Sequence, residues 1–324
     1  MLTGHLIKSI LIEPVKKGAD SLFIVSGFAS PTMASKHIEL IEEKLKTHIN
    51  ISLLIGMCPD GGLPLKDHIS FIQLSQSLSK NQFRCSYLYD PPAVHSKVYI
   101  WCKENTPVYA FCGSANYTQT GFSECQLEVM QPCDPKEALG YYNFLEGKSI
   151  YCTHGEVDNY IKFYIPERTP KNYSTDEEKE SMYTLSDVSA FPRVTVSFLE
   201  RGGDLPKRSG LNWGQRPEVG REPNQAYIRL PSSIYKTNFF PPRPVHFTVL
   251  TDDKKSIICA RAQDNGKAIH STLNNSLLGE YFRNRLGLPN GAEVRKEDLV
   301  RYGRTDVDFY KIDEETYFMD FSVQ

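Results

Sequence analysis

The sequence predicts two domains of different fold class, an α/β N-terminal half and a mostly-β C-terminal half. The chain has 324 residues, about twice the length that one hydrophobic core commonly serves. Its first half alternates strand-like with helical apolar patterns, whereas its second half has short β-prone runs between Gly, Pro and Asn clusters. A polar, acidic stretch separates the halves. We therefore predict a first domain at 1–165, a linker at 166–190 and a second domain at 191–324.

The N-terminal half begins with a strand, helix, strand, helix order, which is typical of an α/β layer with a buried sheet. The strands are predicted at 21–28 and 51–57, and the helices at 31–48 and 64–80. Further strands are predicted at 83–89, 94–102, 108–112 and 126–131, with a helix at 135–145.

The C-terminal half is predicted to form a small barrel-like domain, because most of its regular segments are short strands. These strands are predicted at 193–199, 226–230, 244–251, 256–261 and 316–323. One amphipathic helix, at 277–286, interrupts them.

Composition excludes several classes of protein. At 40% hydrophobic and 23% charged residues, the chain is typical of a globular protein. No apolar run reaches the roughly 18–20 residues of a membrane span and no secretory signal is present, so we expect a cytoplasmic protein with no membrane partner. The eight cysteines include no Cys-x-x-Cys pair, and no two histidines are three or four apart. We therefore expect free thiols, no metal site and no cofactor.

The charge is unevenly distributed. The whole chain carries −2 at pH 7, which by itself argues against a nucleic-acid binder. Residues 191–304, however, hold 19 Lys and Arg against 11 Asp and Glu, a net charge of +8, and acidic residues flank this stretch. A solvated surface of uneven charge would also explain the pattern, but a face that binds a polyanion explains it better.

A set of polar residues in the N-terminal half has the composition of a phosphoryl-transfer site. His95 and Lys97 lie two apart in a predicted strand, so their side chains share one face. Ser114 and Asn116 follow in a turn of small residues, and Glu128 lies in the next strand candidate. In such a set the histidine attacks phosphorus, the Lys and Asn stabilise charge on the phosphate oxygens, and the carboxylate orients the imidazole.

The sequence HSKVYIW, followed by GSANYT and a glutamate, resembles the signature of the phospholipase D superfamily, most closely its metal-independent nucleases. The resemblance implies an α/β sandwich of phospholipase D type. The catalytic residues that it implies are His95, Lys97, Ser114, Asn116 and Glu128. Lys103 stands where the superfamily motif usually has Asp, a departure that several nuclease members share. Glu124 is an alternative carboxylate, although the strand phase favours Glu128.

The chain contains one copy of this motif, whereas the superfamily's catalytic centre is built from two. The resemblance therefore implies a homodimer with one composite active site. One His95 would form a phosphohistidine, and the partner's His95 would protonate the leaving oxygen without a metal ion.

Two polar loops of the C-terminal half, at 205–221 and 263–275, carry residue types that contact DNA. Cations bind phosphates, while Asn, Gln and Arg have the geometry to recognise base edges. The candidate DNA-binding residues are Lys207, Arg208, Asn212, Trp213, Gln215, Arg216, Arg221, Asn265, Lys267, His270, Ser271, Thr272, Asn274 and Arg283. Two alternatives stay open: Trp213 as a packing residue and Asn265 as part of a hairpin turn.

The segments SGLNWGQR, REPNQAYIRLP and ARAQDNGKAIHSTLNNSLLGEYFRNRLGL resemble the B3-like DNA-recognition domain of restriction endonucleases, a pseudobarrel with two DNA-binding arms. Together the two resemblances imply a type II-like restriction endonuclease of the neisserial type, which binds double-stranded DNA. They also imply a companion DNA methyltransferase and, as in some relatives, a separate helicase-like ATPase. The alternatives are a phospholipase D-type lipid phosphodiesterase and a non-catalytic sequence-specific DNA-binding protein.

Overall fold

The computed structural model describes residues 1–79, 82–165 and 183–323. The chain divides into two compact units, Met1–Pro166 and Glu167–Gln324. Most of the predicted linker, residues 166–182, lies outside the described residues. Its last part forms a helical turn that is capped by the Thr184 side chain. In the described residues, no helix combines the length and apolar character that a membrane crossing requires.

The N-terminal unit is an α/β layer around one mixed sheet. Its strands are β1 Ser21–Ser26, β2 Asn50–Ile55, β3 Leu63–Pro64, β4 Phe83–Leu88, β5 Lys97–Lys103, β6 Thr106–Gly113, β7 Met130–Pro132, β8 Ser149–Tyr151 and β9 Phe163–Tyr164. Its helices are a π-helix at Ile7–Ile12, α1 Glu13–Lys16, α2 Pro31–Leu45, α3 Cys58–Gly61, α4 Leu65–Ser77, α5 Pro135–Glu146 and a 3₁₀ turn at Val157–Asn159. Seven strands form the main sheet in the order β7-β6-β5-β1-β2-β4-β8, and β3 pairs with β9.

The centre of this sheet brings four strand ends into one row. β1 pairs antiparallel with β5, so Ser26 at the end of β1 lies opposite Lys97 at the start of β5. Lys97 in turn lies opposite Gly113, the last residue of β6. Gly113 lies opposite Met130, the first residue of β7. Polar residues just outside these ends therefore meet at one edge of a sheet whose strands are largely buried.

The C-terminal unit is a nearly closed, barrel-like sheet. Its strands are β10 Arg193–Ser197, β11 Ile228–Arg229, β12 His246–Thr251, β13 Ser256–Ala262, β14 Ala268–Ser271, β15 Asp306–Lys311 and β16 Thr316–Asp320. Its helices are α6 Leu185–Val188, α7 Ser232–Tyr235, α8 Leu277–Arg285, α9 Lys296–Tyr302 and 3₁₀ turns at Gly210–Asn212, Pro217–Val219 and Asp264–Gly266. The strand order is β10-β15-β16-β12-β13-β14-β11. The core is aromatic, with Phe240, Phe247, Phe309 and Tyr317 buried in mutual contact.

The predicted fold classes agree with both units, and several details differ. The strand predicted at 94–102 begins only at Lys97, so His95 precedes the strand in which it was expected. The strand predicted at 126–131 begins only at Met130, so Glu128 precedes it; Leu127 there is 97% exposed and has no core to face. The sequence reasoning also missed β14, β15 and α9. The acidic residues expected to flank the basic stretch belong partly to β15, where Asp308 pairs with Arg193 and Arg304 instead of facing solvent.

Candidate functional site

His95 and Lys97 meet beside the start of β5. The ammonium Nζ of Lys97 lies 3.2 Å from His95 Nδ1 and donates a hydrogen bond to the His95 carbonyl oxygen. The Lys97 side chain is buried, whereas His95 is exposed. Burial lowers the pKa of Lys97, and the charge of Glu128 opposes that shift. The pair offers an accessible imidazole next to a partly desolvated cation, where electrostatic stabilisation is stronger than in water.

The backbone behind His95 is tightly packed. Val94 N–H donates to the Gly56 carbonyl oxygen at 2.9 Å. A Cβ at Gly56 would lie 2.2 Å from the Val94 carbonyl oxygen, so no larger residue fits there without a backbone shift. On the other side, the Phe28 ring stands edge-on to the His95 ring at 6.1 Å between centroids. The imidazole is therefore held between the ends of β1 and β2.

The amide of Asn116 is oriented by the end of β1. Phe28 N–H donates to Asn116 Oδ1 at 3.1 Å, and the buried Ser26 hydroxyl lies 3.4 Å from the same oxygen. Ser26 Oγ also accepts a hydrogen bond from Tyr117 N–H at 2.9 Å, which fixes the turn that carries Asn116. Because Oδ1 accepts these bonds, the donor group Nδ2 is directed away from Phe28. Sequence reasoning did not identify Ser26 and Phe28 as positioning residues.

Glu128 contacts Ser114. The Ser114 hydroxyl donates to Glu128 Oε2 and accepts from Val129 N–H at 3.0 Å. Glu124 instead pairs with His5 at 3.6 Å, and both of those side chains are more than 80% exposed. Glu128 is therefore the candidate carboxylate that contacts a predicted site residue. The neighbour of His95 Nδ1 is the Lys97 ammonium, so the expected contact of Glu128 with His95 stays a prediction.

The sequence predicts no metal site and free cysteine thiols. Within 1–79, 82–165 and 183–323, no group of three or more His, Cys, Asp or Glu side chains is placed to hold a metal ion. The eight cysteines are free thiols, and most of them are buried.

The predicted DNA-binding residues divide into a solvent-facing set and a buried set. The solvent-facing set is exposed or half-buried and comprises Lys207, Arg208, Trp213, Gln215, Arg216, Arg221, Asn265, Lys267, His270 and Asn274. The buried set comprises Asn212, Ser271, Thr272 and Arg283. A buried side chain that is bonded to its own chain has no donor to offer DNA, so these four leave the candidate contact set.

Two residues of the buried set, Arg283 and Asn212, support the first polar loop. The Arg283 guanidinium is fully buried and donates to the carbonyl oxygens of Leu211, Gly279, Pro223 and Ala292. Asn212 donates to the Val294 carbonyl oxygen at 2.7 Å and accepts from Val294 N–H at 2.9 Å. These bonds join the loop to α8 and to the segment after it, so its conformation is held by side chains that DNA would not reach.

Trp213 and Arg221 form a pair on the same loop. The Arg221 guanidinium lies over the Trp213 ring at 4.0 Å, and Trp213 also packs edge-on against Tyr227. Trp213 is half-buried, so its alternative role as a packing residue accords with these contacts. A cation stacked on an indole ring is held in place by the ring's charge distribution.

A buried arginine also supports the second loop. Arg261 Nε donates to the Gly266 carbonyl oxygen at 2.9 Å, and Nη2 donates to the Tyr235 carbonyl oxygen at 2.6 Å. Gly266 has φ +62°, and a Cβ there would lie 2.5 Å from Arg261 Nε, so the turn requires glycine. Asn265, with φ 61°, is exposed at the turn. Asn265 can therefore form the turn and still be available as a candidate DNA contact.

A cleft of about 810 Å³ lies between the end of β10 with the residues after it, the segment from β11 to α7 and the start of the second loop. Its lining includes Arg201, Tyr227, Arg229, Gln263 and Lys267, of which the sequence reasoning had identified only the last. A usable signal was present in the sequence AYIRL at 226–230, because Ala, Ile and Leu alternate there with Tyr227 and Arg229, and the structure buries the first three.

Two family models match the chain. The model described as the NgoFVII restriction endonuclease N-terminal PLD domain matches residues 4–159, and that of the NgoFVII C-terminal B3-like DNA-binding domain matches residues 187–313. The chain belongs to the NgoFVII restriction endonuclease family. The NgoFVII-type PLD domain covers the unit that carries His95, and the NgoFVII-type B3-like domain covers most of the unit with the cleft. Both resemblances inferred from sequence are thereby confirmed, together with the predicted fold classes.

Solved structures resemble this NgoFVII-family chain only distantly, and no curated protein matches it. Polyphosphate kinase from Porphyromonas gingivalis is 18% identical with a TM-score of 0.29, and the match covers 45% of this chain and 21% of that one. The phospholipase D family member Nuc from Salmonella typhimurium is 16% identical with a TM-score of 0.32, covering 44% and 89%. NucT from Helicobacter pylori is 15% identical with a TM-score of 0.30, covering 44% and 87%.

Proposed function

We propose that this chain is a sequence-specific endonuclease of the restriction type. In this proposal the C-terminal unit finds a short sequence in double-stranded DNA, and the N-terminal unit hydrolyses phosphodiester bonds. The observation that carries the proposal is the exposed His95 beside the buried Lys97 ammonium, in a chain whose other unit belongs to a DNA-binding domain family.

The proposed reaction proceeds through a covalent phosphohistidine. Nε2 of His95 attacks phosphorus in the tautomer that carries its proton on Nδ1, so the Lys97 ammonium, which lies beside Nδ1 in the free protein, turns to a phosphoryl oxygen when DNA binds. The new N–P bond forms as the P–O bond to the leaving sugar oxygen breaks, and that oxygen takes up a proton. Lys97 and the Nδ2 group of Asn116 stabilise the charge on the phosphoryl oxygens. Water then breaks the N–P bond, releases the phosphate end and restores the histidine.

We further propose that the complete centre is formed by two copies of the chain. One copy supplies one His95, so the proton donor for the leaving oxygen would be the partner's His95. Apolar side chains near the site support an interface there: Phe28, beside His95, is 51% exposed, and Leu127, next to Glu128, is 97% exposed. Exposed apolar side chains beside an incomplete site are typical of a surface that another subunit covers.

Sequence-specific cleavage in a living cell has consequences for partners. The same sequence in the host's own DNA would be cut unless modified, so we propose a companion DNA methyltransferase and a cytoplasmic location with access to incoming DNA. A separate helicase-like ATPase is proposed as an additional subunit, to be tested by adding it to the purified chain.

The decisive experiment measures cleavage of plasmid DNA in excess EDTA by the wild type, by His95→Ala and by the control Ser96→Ala. The Ser96 hydroxyl contacts Tyr141 at 3.0 Å, so its loss should leave cleavage intact. We expect sequence-dependent cleavage by the wild type and Ser96→Ala, and none by His95→Ala. Cleavage by all three would contradict the histidine mechanism, and cleavage that EDTA abolishes would contradict metal independence.

Other outcomes test the alternatives. Hydrolysis of phosphatidylcholine vesicles without DNA cleavage would favour a lipid phosphodiesterase, and DNA binding without cleavage, even with the ATPase added, would favour a non-catalytic protein.

Leu127→Asp should weaken both dimerisation in sedimentation and cleavage while leaving DNA binding unchanged. A strictly monomeric and active chain would contradict the composite site. Unchanged binding by both Lys267→Ala and Arg216→Ala would place the recognition surface elsewhere.

A further inference from the structure

The cleft of the C-terminal unit contains a carboxylate among its cations. Glu200 Oε1 lies 3.6 Å from Arg229 Nη1, and both side chains line the cleft. The Arg229 side chain is 67% exposed and that of Glu200 is 52% exposed. An ion pair this exposed contributes little to folding, so stability does not explain its presence.

Both residues are positioned by strands. Glu200 follows β10 by three residues, and its N–H donates to the Asp204 carbonyl oxygen at 2.9 Å. Arg229 ends β11, where it lies opposite Ala268 of β14. These two strands are the edges of the sheet, and the first polar loop runs between them. The two side chains therefore start from defined backbone positions.

The Glu200 carboxylate is unfavourable for DNA binding unless it accepts a hydrogen bond from a base. Arg201, Arg229 and Lys267 bring three positive charges to the cleft, and Glu200 removes one. A negative charge repels phosphates at every sequence and lowers affinity without distinction. A base edge with a hydrogen-bond donor reverses that effect, and in the major groove cytosine offers its N4 amino group. Arginine is the matching side chain for the guanine of the same pair, because it binds O6 and N7 with two parallel bonds.

We propose that Arg229 and Glu200 together recognise one G·C base pair, with Arg229 on the guanine and Glu200 on the cytosine amino group. This inference rests on the proposed function and names the specificity residues within it. In the absence of DNA the two side chains pair with each other, which keeps both within reach of one base pair. Lys267 lies beside them, because its carbonyl oxygen accepts from Leu230 N–H at 2.7 Å, and its ammonium lies near the Tyr235 ring.

The pairing predicts a specific sensitivity to DNA modification. One hydrogen of the cytosine amino group pairs with guanine, and the other faces the major groove. A methyl group on N4 replaces that second hydrogen and removes the donor that Glu200 needs. Methylation at C5 of the same cytosine leaves the amino group intact, so it serves as the matched control for the modification.

The test uses the full chain with His95→Ala, so that DNA is bound without being cut. Binding sites are selected from a pool of randomised duplexes with this parent and with Arg229→Ala, Arg229→Lys and Glu200→Gln. Lys207→Ala is the control, since Lys207 is an exposed cation of the first loop outside the cleft lining. We expect the parent to require a G·C pair at one position. Arg229→Ala and Arg229→Lys should lose about 5- to 150-fold preference for guanine there, with other positions unchanged.

The remaining arms complete the test. Glu200→Gln should relax discrimination at that same base pair, and Lys207→Ala should weaken binding to all sequences equally. N4-methylcytosine at that position should weaken binding by the parent, whereas C5-methylcytosine should weaken it less, and Glu200→Ala should abolish the difference. Circular dichroism of each variant checks that it is folded.

Three results would overturn the inference. If the Arg229 and Glu200 variants all keep the parent's base preference at every position, these two residues do not recognise a base, although the proposed DNA recognition stands. If Arg229 and Glu200 variants alter different base pairs, they do not share one pair. If the parent selects no sequence, the proposed function fails and the inference fails with it.

Discussion

The two units differ in how many charged side chains they bury and in how completely those side chains are hydrogen-bonded. Among the described residues of the N-terminal unit, Lys97 is the buried side chain of the Lys, Arg, Asp and Glu types. The described interior of the C-terminal unit contains five such side chains, namely Arg261, Arg283, Asp298, Asp308 and Asp320. Each of these five is bonded to backbone groups or opposite charges of its own unit. Lys97 has two contacts, both with His95, although an ammonium carries three hydrogens.

The difference shows how buried charge can be interpreted. Removing a charge from water costs several kcal/mol unless the interior supplies partners. In the C-terminal unit the two buried arginines donate to carbonyl oxygens of loops, and the three buried aspartates accept from guanidinium and backbone N–H groups, so these charges hold their own unit together. In the N-terminal unit the buried Lys97 ammonium has His95 as its hydrogen-bond partner, and we propose that a phosphate oxygen supplies another. Four predictions test this contrast.

The largest effect is expected for Lys97→Met. Cleavage should fall about 10³-fold, because a transition-state charge loses its stabilising cation. The free energy of unfolding should stay unchanged or rise, because a buried ammonium is replaced by an apolar group. Plasmid cleavage and urea denaturation measure the two quantities. Lys103→Met, an exposed lysine at the other end of β5, is the control, and a large loss of stability in Lys97→Met would contradict the contrast.

Arg283→Met should show the reverse. The free energy of unfolding should fall by about 3 kcal/mol, because buried carbonyl oxygens lose their donor. Urea denaturation of the full chain measures the change, with Arg208→Met as the exposed control that should stay within about 0.5 kcal/mol. An Arg283→Met variant with wild-type stability and lost DNA binding would return Arg283 to the DNA-contact set.

His37 should make the N-terminal unit sensitive to acid. Burial lowers the pKa of His37 to about 4, and its Nδ1 lies 2.9 Å from the Tyr117 hydroxyl. A histidine whose folded pKa is depressed contributes stability above its unfolded pKa of about 6.5, and that stability is lost as the pH falls toward 4. Between pH 7 and pH 5 the wild type should therefore lose about 2 kcal/mol more than His37→Leu. Denaturation of both proteins at the two pH values measures the difference, and parallel losses would contradict the prediction.

The smallest effect is expected for Lys207→Ala. An exposed cation that contacts phosphate contributes equally at every sequence, so affinity should fall a few-fold and the log–log salt slope should flatten by about one. Fluorescence anisotropy across a salt series measures both quantities. Lys254→Ala, an exposed lysine in the turn between β12 and β13, is the control. An unchanged slope would remove Lys207 from the phosphate contacts.

The candidate motif residues could be located in the sequence because most of them lie close together in the chain. His95 and Lys97 are two residues apart, and Ser114 and Asn116 share one turn, so residue type and short spacing were sufficient to locate them, although β5 begins only at Lys97 and His95 precedes it. The contact of Glu128 was not predictable in this way. Which neighbour a carboxylate selects depends on how the turn before β7 approaches Ser114, and this is a matter of packing.

The loops of the C-terminal unit were less predictable, because exposed and buried polar residues look alike in a sequence. Asn212 was a reasonable candidate for base contacts, yet it bonds Val294, which is 82 residues away. Arg229 was overlooked in a strand of two residues, although it faces the cleft. Loop side chains take their direction from distant segments, and local periodicity carries no information about those.

The sequence by itself determined the two fold classes, the positions of the candidate motif residues and the uneven charge. These depend on residue type and short-range spacing, which determine local structure and its chemistry. Only the tertiary structure decided that Glu128 contacts Ser114, that Arg283 supports a loop, and that Glu200 and Arg229 meet in one cleft. Those outcomes follow from hydrogen bonds and packing between residues far apart in the chain, because a buried polar group must find its partner wherever the fold supplies one.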